Sequence, residues 1–169
     1  MKMFKEVFVV ASMVVMVACG AVQAQVPSRL QQFDAWGVYS YKSSGNTICY
    51  VLSMPLSELP TTVKHGDNFF LVTKHSNSPV LFEPQFLAGY TLKEGSKVTV
   101  IIGDEDFEFF TKDSSAWLSS PKLEQRFVSA MRSGMHMTVK AISKRETYTT
   151  YTYSLKGVTA ALNAAQKCH

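Results

Sequence analysis

The segment TYTTYTYSL, residues 147–155, is the feature that most constrains the fold of this chain. Threonine and tyrosine favour a pleated sheet, and strict alternation assigns successive side chains to opposite faces of a strand. Thr149, Tyr151 and Tyr153 share one face, which we expect to line a core. Tyr148 lies on the other face. The pattern predicts a half-buried β-strand near the end of the chain.

Seven further segments have the same character, because each is short, rich in β-branched or aromatic residues, and bounded by turn formers. They are residues 35–42, 47–54, 68–75, 80–86, 97–102, 107–111 and 135–143. Residues 25–33 are expected to be a short leader before the first strand. Helical patterns do not alternate with the strands, so parallel α/β folds are unfavoured. The series predicts a mainly β protein, an antiparallel β-sandwich, with a small closed barrel as the alternative.

Two short helices interrupt or follow the strands. The first is predicted to begin at Pro121, after Ser120, and to stop at Gly134. The second follows Gly157 at the C-terminus, and its apolar stripe continues to Cys168. This second helix, of about eleven residues, is expected to be only marginally stable in isolation.

The N-terminus has the layout of a secretory signal peptide. Lys2 and Lys5 precede an apolar run at residues 7–18, and small residues follow as far as Ala24. That run is too short to span a bilayer as a helix, and no other run approaches the required length. We therefore expect a signal peptide at residues 1–24, a single domain at residues 25–169, no transmembrane helix, and a location in the periplasm or at the cell surface.

A second processing site is an alternative. Residues 16–19, Met-Val-Ala-Cys, are similar to a bacterial lipobox, in which Cys19 would become the lipid-modified first residue. In that case the domain would be an envelope-tethered structural lipoprotein. A membrane tether is expected only if Cys19 is lipidated.

Cleavage after residue 24 leaves two cysteines, Cys49 and Cys168. Two cysteines in an exported chain favour one disulfide, with two free buried thiols as the alternative. The bond would hold the terminal helix against the strand that carries Cys49. This role is structural and requires no redox chemistry.

No motif for catalysis, a cofactor or a metal is present. The chain has no GxSxG, Walker, GxGxxG, HExxH or CxxC pattern. Its four histidines, of which we expect most to be exposed, have no local metal-binding spacing. Asp104, Asp106 and Glu108 alternate around a turn, but an EF-hand glycine and distal glutamate are missing, and we expect a solvated hairpin tip followed by buried aromatics at 107, 109 and 110. We predict a non-enzyme without cofactor or metal.

The alternative to a binding protein is a small exported hydrolase whose site forms only on folding. Its catalytic histidine would be His65, His75 or His136, paired with an acidic residue. A histidine within hydrogen-bond reach of a carboxylate in a concave pocket would support that alternative.

Charge is distributed unevenly along the chain. Residues 25–120 carry seven basic and ten acidic side chains, whereas residues 121–169 carry eight basic and two acidic ones. Export argues against nucleic acid as a partner, which leaves an envelope or host protein, lipid head groups or an acidic glycan. The residues expected to form a basic interaction surface are Arg126, Arg132, Lys140, Lys144 and Arg145.

Several short motifs, in a fixed order, resemble the invasion-associated locus B proteins of Gram-negative bacteria. The likeness covers nearly the whole mature chain, and its most characteristic part is the YSLKG-to-helix ending. The motifs are FDAWGVY at 33–39, Cys49 and Tyr50 before Pro55, GDNFFLV at 66–72, Ile102-Gly103, AWL at 116–118, AMRSG at 130–134 and YSLKGVTAAL at 153–162.

The resemblance implies an immunoglobulin-like β-sandwich in the periplasm or at the cell surface, associated in some members with invasion of host cells and virulence. It implies no enzymatic activity, cofactor or binding residue. Many members have further cysteines in mid-domain, whereas this chain has none between Cys49 and Cys168.

Overall fold

The computed structural model describes residues 26–75 and 82–168. The predicted signal peptide, the lipobox at Cys19, and His169 lie outside the described residues. Eleven strands and two helices follow one another along the described chain. They are β1 (Ser28–Phe33), β2 (Trp36–Ser43), β3 (Asn46–Ser53), β4 (Ser57–Leu59), β5 (Phe69–Lys74), β6 (Phe82–Leu87), β7 (Lys97–Ile102), β8 (Glu105–Lys112), β9 (Ser115–Trp117), α1 (Pro121–Ser133), β10 (His136–Ile142), β11 (Tyr148–Ser154) and α2 (Val158–Gln166).

All strands belong to one antiparallel sheet with the order β1-β2-β3-β5-β6-β9-β8-β7-β10-β11-β4. The sheet folds over on itself, so that Phe70 of β5 lies 6.0 Å from Phe109 of β8 and 5.9 Å from Tyr153 of β11, between ring centroids. Apolar side chains of both halves fill the space between them. The prediction of a mainly β antiparallel sandwich with two helices, the second C-terminal, is confirmed.

Strand β11 has the two faces that its alternation predicts. Thr149, Tyr151 and Tyr153 are buried, whereas Tyr148 is 73% exposed. Strand β10 pairs with β11 along its full length, from His136 opposite Ser154 to Ile142 opposite Tyr148. The core-facing row of β11 therefore runs through the sandwich and emerges at the end where β11 begins.

Three strands and one side-chain orientation differ from the sequence prediction. The expected leader at 25–33 is wrong, because β1 pairs with β2 through its backbone although five of its six side chains are exposed. Strands β4 and β9, three residues each, were too short to give a pattern. Phe110 is 40% exposed rather than buried, because alternation along β8 directs it outward onto Trp117.

The helices form where the sequence places their ends. Ser120 caps α1 by accepting a hydrogen bond from the Leu123 amide, and Pro121 occupies the first turn. Phe127 of α1 is fully buried and stacks on Phe70 with 5.6 Å between the ring centroids. Gly157 precedes α2 with φ +90°, where a Cβ would collide with the Phe33 carbonyl, so only glycine fits.

Helix α2 is joined to β3 by a disulfide between Cys49 and Cys168, whose Cα atoms are 6.2 Å apart. The side chain of Lys74, the last residue of β5, donates a hydrogen bond to the Cys168 carbonyl at 2.8 Å. The disulfide thus secures the C-terminus at the end of the sandwich where β5 finishes. None of the described helices is long and apolar enough to cross a membrane.

Candidate functional site

A polar pocket of about 660 Å³ opens at the end of the sandwich where β11 begins. Three parts of the chain form it: the loop after β4, the segment after β6, and the turn between β10 and β11. Its lining consists of Val63, Lys64, His65, Tyr90, Thr91, Ser143, Lys144, Arg145, Thr147 and Thr149. A volume of this size is typical of sites for small organic ligands, about 300 to 1,000 Å³.

Two glycines bring the first two parts of the pocket into contact. A Cβ on Gly89 would lie 2.5 Å from the Asp67 nitrogen and 2.6 Å from the His65 carbonyl oxygen. Gly66 has φ +67°, and a Cβ there would lie 2.7 Å from the Gly89 carbonyl oxygen. Only two bare backbones can approach so closely. This contact places His65 next to Tyr90.

The Asn68 side chain fixes the same contact by hydrogen bonds. Its Nδ2 donates to Glu58 Oε1 at 2.9 Å and to the Gly66 carbonyl at 3.2 Å, and its Oδ1 accepts from the Gly89 amide at 3.1 Å. Asn68 is only 1% exposed, so these bonds satisfy a buried amide. The GDN sequence at 66–68 is thus the local reason for the position of the loop.

The third part of the pocket is the tight turn between β10 and β11. The Ser143 amide donates to the Thr147 carbonyl at 2.9 Å, and Ser143 Oγ accepts from the Thr147 amide at 3.1 Å. The Lys144 amide donates to the Thr91 carbonyl at 2.9 Å, which joins the turn to the segment after β6. Lys144 and Arg145 are thereby held at the pocket rim.

A chain of side-chain hydrogen bonds forms the pocket floor and continues beneath it. Tyr90 Oη lies 2.6 Å from Thr149 Oγ1 and 3.1 Å from Tyr151 Oη. Tyr151 Oη lies 2.9 Å from His65 Nδ1, and His65 Nε2 lies 2.9 Å from the Pro60 carbonyl. A carbonyl can only accept, so Nε2 donates to it. Each hydroxyl has one proton and two acceptor positions, and the bonds within the chain, together with the one from Thr149 Oγ1 to the Ala141 carbonyl at 3.3 Å, use part of this capacity.

Two phenols, Tyr90 and Tyr151, belong to this hydrogen-bond chain. Burial raises the pKa of Tyr90, and burial followed by the neighbouring Tyr90 hydroxyl raises the pKa of Tyr151. Both phenols therefore keep their protons over the physiological range.

These shifts predict a loss of stability in alkali. A raised phenol pKa means that the unfolded chain ionises first, near the ordinary value of about 10, so the free energy of unfolding falls as pH rises above that value. Tyr153, whose pKa burial also raises, contributes in the same direction. Denaturant unfolding at a series of pH values, with phenolate absorbance followed in parallel, should show Tyr151 and Tyr153 ionising together with unfolding. Ionisation of all tyrosines in the intact fold would contradict this.

The rim of the pocket is positively charged. Lys64, Lys144 and Arg145 line it, and no acidic side chain is among the lining residues. The acidic residue of the turn, Glu146, pairs instead with Lys93 at 2.8 Å. Within the part of the chain that the structure describes, no carboxylate lies within ion-pair distance of the three rim cations. The pocket thus combines a neutral hydroxyl floor with a cationic rim.

The predicted basic surface is divided by the structure. Lys144 and Arg145 lie together at the pocket, but Arg126 pairs with Glu105 on the face of α1 and lies over Phe107. Arg132 donates to Asn163 of α2 at 3.0 Å, and Lys140 lies exposed in the middle of β10. Helix α1 precedes β10 and the turn follows it, so about 20 Å of strand separates the two groups.

The three histidines considered for a hydrolase lie in different environments. His65 is buried, at 7% exposed, and its ring contacts a phenol and a carbonyl rather than a carboxylate. His75 Nε2 lies 3.4 Å from Glu83, where both side chains are 40% exposed, and His136 is exposed on β10. No group of three potential metal ligands occurs in residues 26–75 and 82–168.

Sequence reasoning missed most of the pocket. Lys64, Tyr90 and Thr91 come from segments without a recognisable motif, and Thr149 was assigned to the core face without a further role. Two sequence features could have pointed to the pocket. One is the GDN triplet at 66–68, which fixes the loop, and the other is Thr149, a polar residue at the end of the core-facing row of β11. Neither signal identifies a pocket until the fold brings the segments together.

The sequence profile of the invasion associated locus B (IalB) proteins matches residues 36–166. The chain belongs to the IalB family. The match includes every pocket residue and leaves out β1 and Cys168.

A solved structure supports the same fold. The crystal structure of invasion associated protein b from Bartonella henselae is similar to this IalB-family chain with a TM-score of 0.61 and 12% sequence identity. The match covers 80% of this chain and 92% of that one. No curated protein matches the sequence. At this identity the likeness shows the fold alone.

The hydrogen-bond chain of this IalB-family protein gives a matched pair of variants. Tyr151→Phe leaves His65 Nδ1 without its hydrogen-bond partner and removes one of the two hydroxyl partners of Tyr90, so we expect it to lower the free energy of unfolding by about 1 to 3 kcal/mol. Tyr153→Phe removes a buried hydroxyl that has no hydrogen-bond partner among the described residues, so we expect no loss or a small gain. Urea unfolding of both variants measures the difference. Equal losses would contradict the assigned bonds.

Proposed function

We propose that this IalB-family protein is a non-catalytic, exported cell-envelope protein. It binds a macromolecule through the pocket at the end of its sandwich where β11 begins. The observation that carries this proposal is the combination of a buried hydroxyl floor with three rim cations that have no ion-pair partner among the described residues. A purely structural surface gains nothing from leaving like charges together, because they repel one another. A ligand that neutralises them would stabilise the folded protein.

The location is part of the same proposal. The disulfide fits an extracytoplasmic compartment, since cytosolic thiols are kept reduced. Together with the predicted signal peptide at residues 1–24, it supports a mature domain of residues 25–169 in the periplasm or at the cell surface. An envelope protein, a host protein or an acidic glycan fits such a location, and an exported binding domain would serve the invasion that the family name describes.

The test is chemical crosslinking in intact cells followed by affinity purification. We expect a discrete partner that is captured by the wild type and is much reduced with the Lys144→Ala/Arg145→Ala double variant. Lys140→Ala is the matched control, because Lys140 has the same charge on the same hairpin but does not line the pocket. Capture that all three proteins share equally, or turnover of a substrate by the purified domain, would overturn the proposal.

A further inference from the structure

The pocket lining restricts the chemistry of its ligand. Val63 is the one lining residue with a purely aliphatic side chain, so the pocket has no aliphatic cluster that would select an acyl chain. The remaining lining side chains are cations, hydroxyls, an imidazole and one phenol. A ligand for this lining carries a negative charge and several polar groups that both donate and accept hydrogen bonds.

Charge and hydroxyl recognition occur at different depths. Lys64, Lys144 and Arg145 lie at the rim, whereas Thr149 and His65 are more than nine-tenths buried. The Tyr90 and Thr149 oxygens, 2.6 Å apart, form a pair that can bind two adjacent hydroxyl groups. A ligand that fills the site thus has an anionic group on one side and vicinal hydroxyls on the other.

The arrangement of the rim and the floor distinguishes between two ligands that could supply the negative charge, an acidic amino-acid side chain and an acidic sugar. A glutamate or aspartate side chain would satisfy the rim cations, but its aliphatic stem would leave the hydroxyl floor unmatched. A sugar ring with a carboxylate satisfies both, because its hydroxyl groups can bond to the hydroxyl floor while its carboxylate pairs with the rim cations. Arg145 can bind a planar carboxylate with two parallel hydrogen bonds.

We propose that the pocket binds a carboxylate-bearing sugar residue of an acidic polysaccharide, an assignment that rests on the proposed binding role of the pocket. The carboxylate lies between the rim cations, and the ring hydroxyls bond to Tyr90 and Thr149. Ion pairing makes the affinity dependent on ionic strength, because rim charges are exposed to salt.

The test is calorimetric titration of the purified, oxidised mature protein with a galacturonic acid trisaccharide. The matched ligand is a neutral galactose trisaccharide, which has the same ring hydroxyls without the carboxylates. We expect binding of the acidic trisaccharide that weakens with added salt, and binding of the neutral one that is weaker by at least about tenfold, since charge-assisted bonds are lost. A glutamate hexapeptide tests the protein alternative.

Alanine variants of the rim residues test whether the sugar binds in the pocket. Arg145→Ala and Lys144→Ala are expected to weaken acidic-sugar binding by about tenfold each, whereas Lys140→Ala leaves it unchanged. Unchanged circular dichroism and unfolding midpoints confirm that these exposed substitutions leave the fold intact. The sugar assignment would be overturned if the acidic trisaccharide did not bind, or if the neutral trisaccharide bound equally well. It would also be overturned if the glutamate peptide bound more tightly, or if Lys140→Ala weakened binding as much as the pocket variants do. If the sugar fails while the pocket variants still abolish partner capture in cells, the ligand class is wrong and the binding pocket stands.

Discussion

Cys168→Ser is expected to lower the free energy of unfolding by about 2 to 5 kcal/mol, because it opens a loop closed by the disulfide. The bond joins residues 119 positions apart, and a loop of that length strongly restricts the unfolded chain. Helix α2 is only nine residues long, so it depends on this bond and on packing for its position. Guanidinium unfolding of the oxidised protein measures the effect.

The reduced wild type is the control for Cys168→Ser. It should unfold at nearly the same denaturant concentration as the variant, and adding reductant to the variant should change nothing. The pocket should remain, since the disulfide lies beside Lys74 at the end of β5 and the pocket loop precedes Phe69 at its beginning. An oxidised wild type no more stable than the variant would contradict the stabilising role of the bond.

Gly89→Ala is expected to lower the free energy of unfolding by about 3 kcal/mol and to open the pocket. The new Cβ would meet the backbone of residues 65–67 at 2.5 to 2.6 Å, and backbone atoms cannot move aside as a flexible side chain can. The loop that carries His65 would have to shift away from Tyr90. Unfolding experiments measure the stability, and the histidine ring resonances of His65 report the shift.

Gly95→Ala is the matched control for Gly89→Ala. Gly95 has φ +71° with open space around it, so alanine there brings only the backbone cost of about 1 kcal/mol. If Gly89→Ala costs no more than Gly95→Ala, the two loops are not in the close contact that shapes the pocket.

The fold could be predicted from sequence because its signals are local. Alternation identified β11, and Ser120, Pro121 and Gly134 marked the ends of α1, since caps and pleats depend on neighbouring residues. Strand β1 gave no such signal. Its side chains are mostly exposed, and its structure depends on backbone bonds to β2 that composition does not encode.

The pocket could not be predicted because its contacts are distant in sequence. His65 and Tyr151 are 86 positions apart, and Tyr90 and Thr149 are 59 apart. The sequence groups Lys144 and Arg145, which line the pocket, with Arg126, which does not. Its ion pair with Glu105 across α1 and β8 is visible only in the folded chain.

Photocrosslinking from the pocket in intact cells tests most directly whether the protein binds its partner there. A photoreactive residue replaces Thr91, which lines the pocket, and in a second protein replaces Asp106, an exposed position on β8. If the partner binds in the pocket, the photoreactive residue at position 91 should form one discrete adduct with it, and position 106 should form none. The adduct at position 91 should disappear when Lys144→Ala/Arg145→Ala is added. Adducts that are the same at both positions, or that persist at position 91 in the double variant, would contradict binding in the pocket.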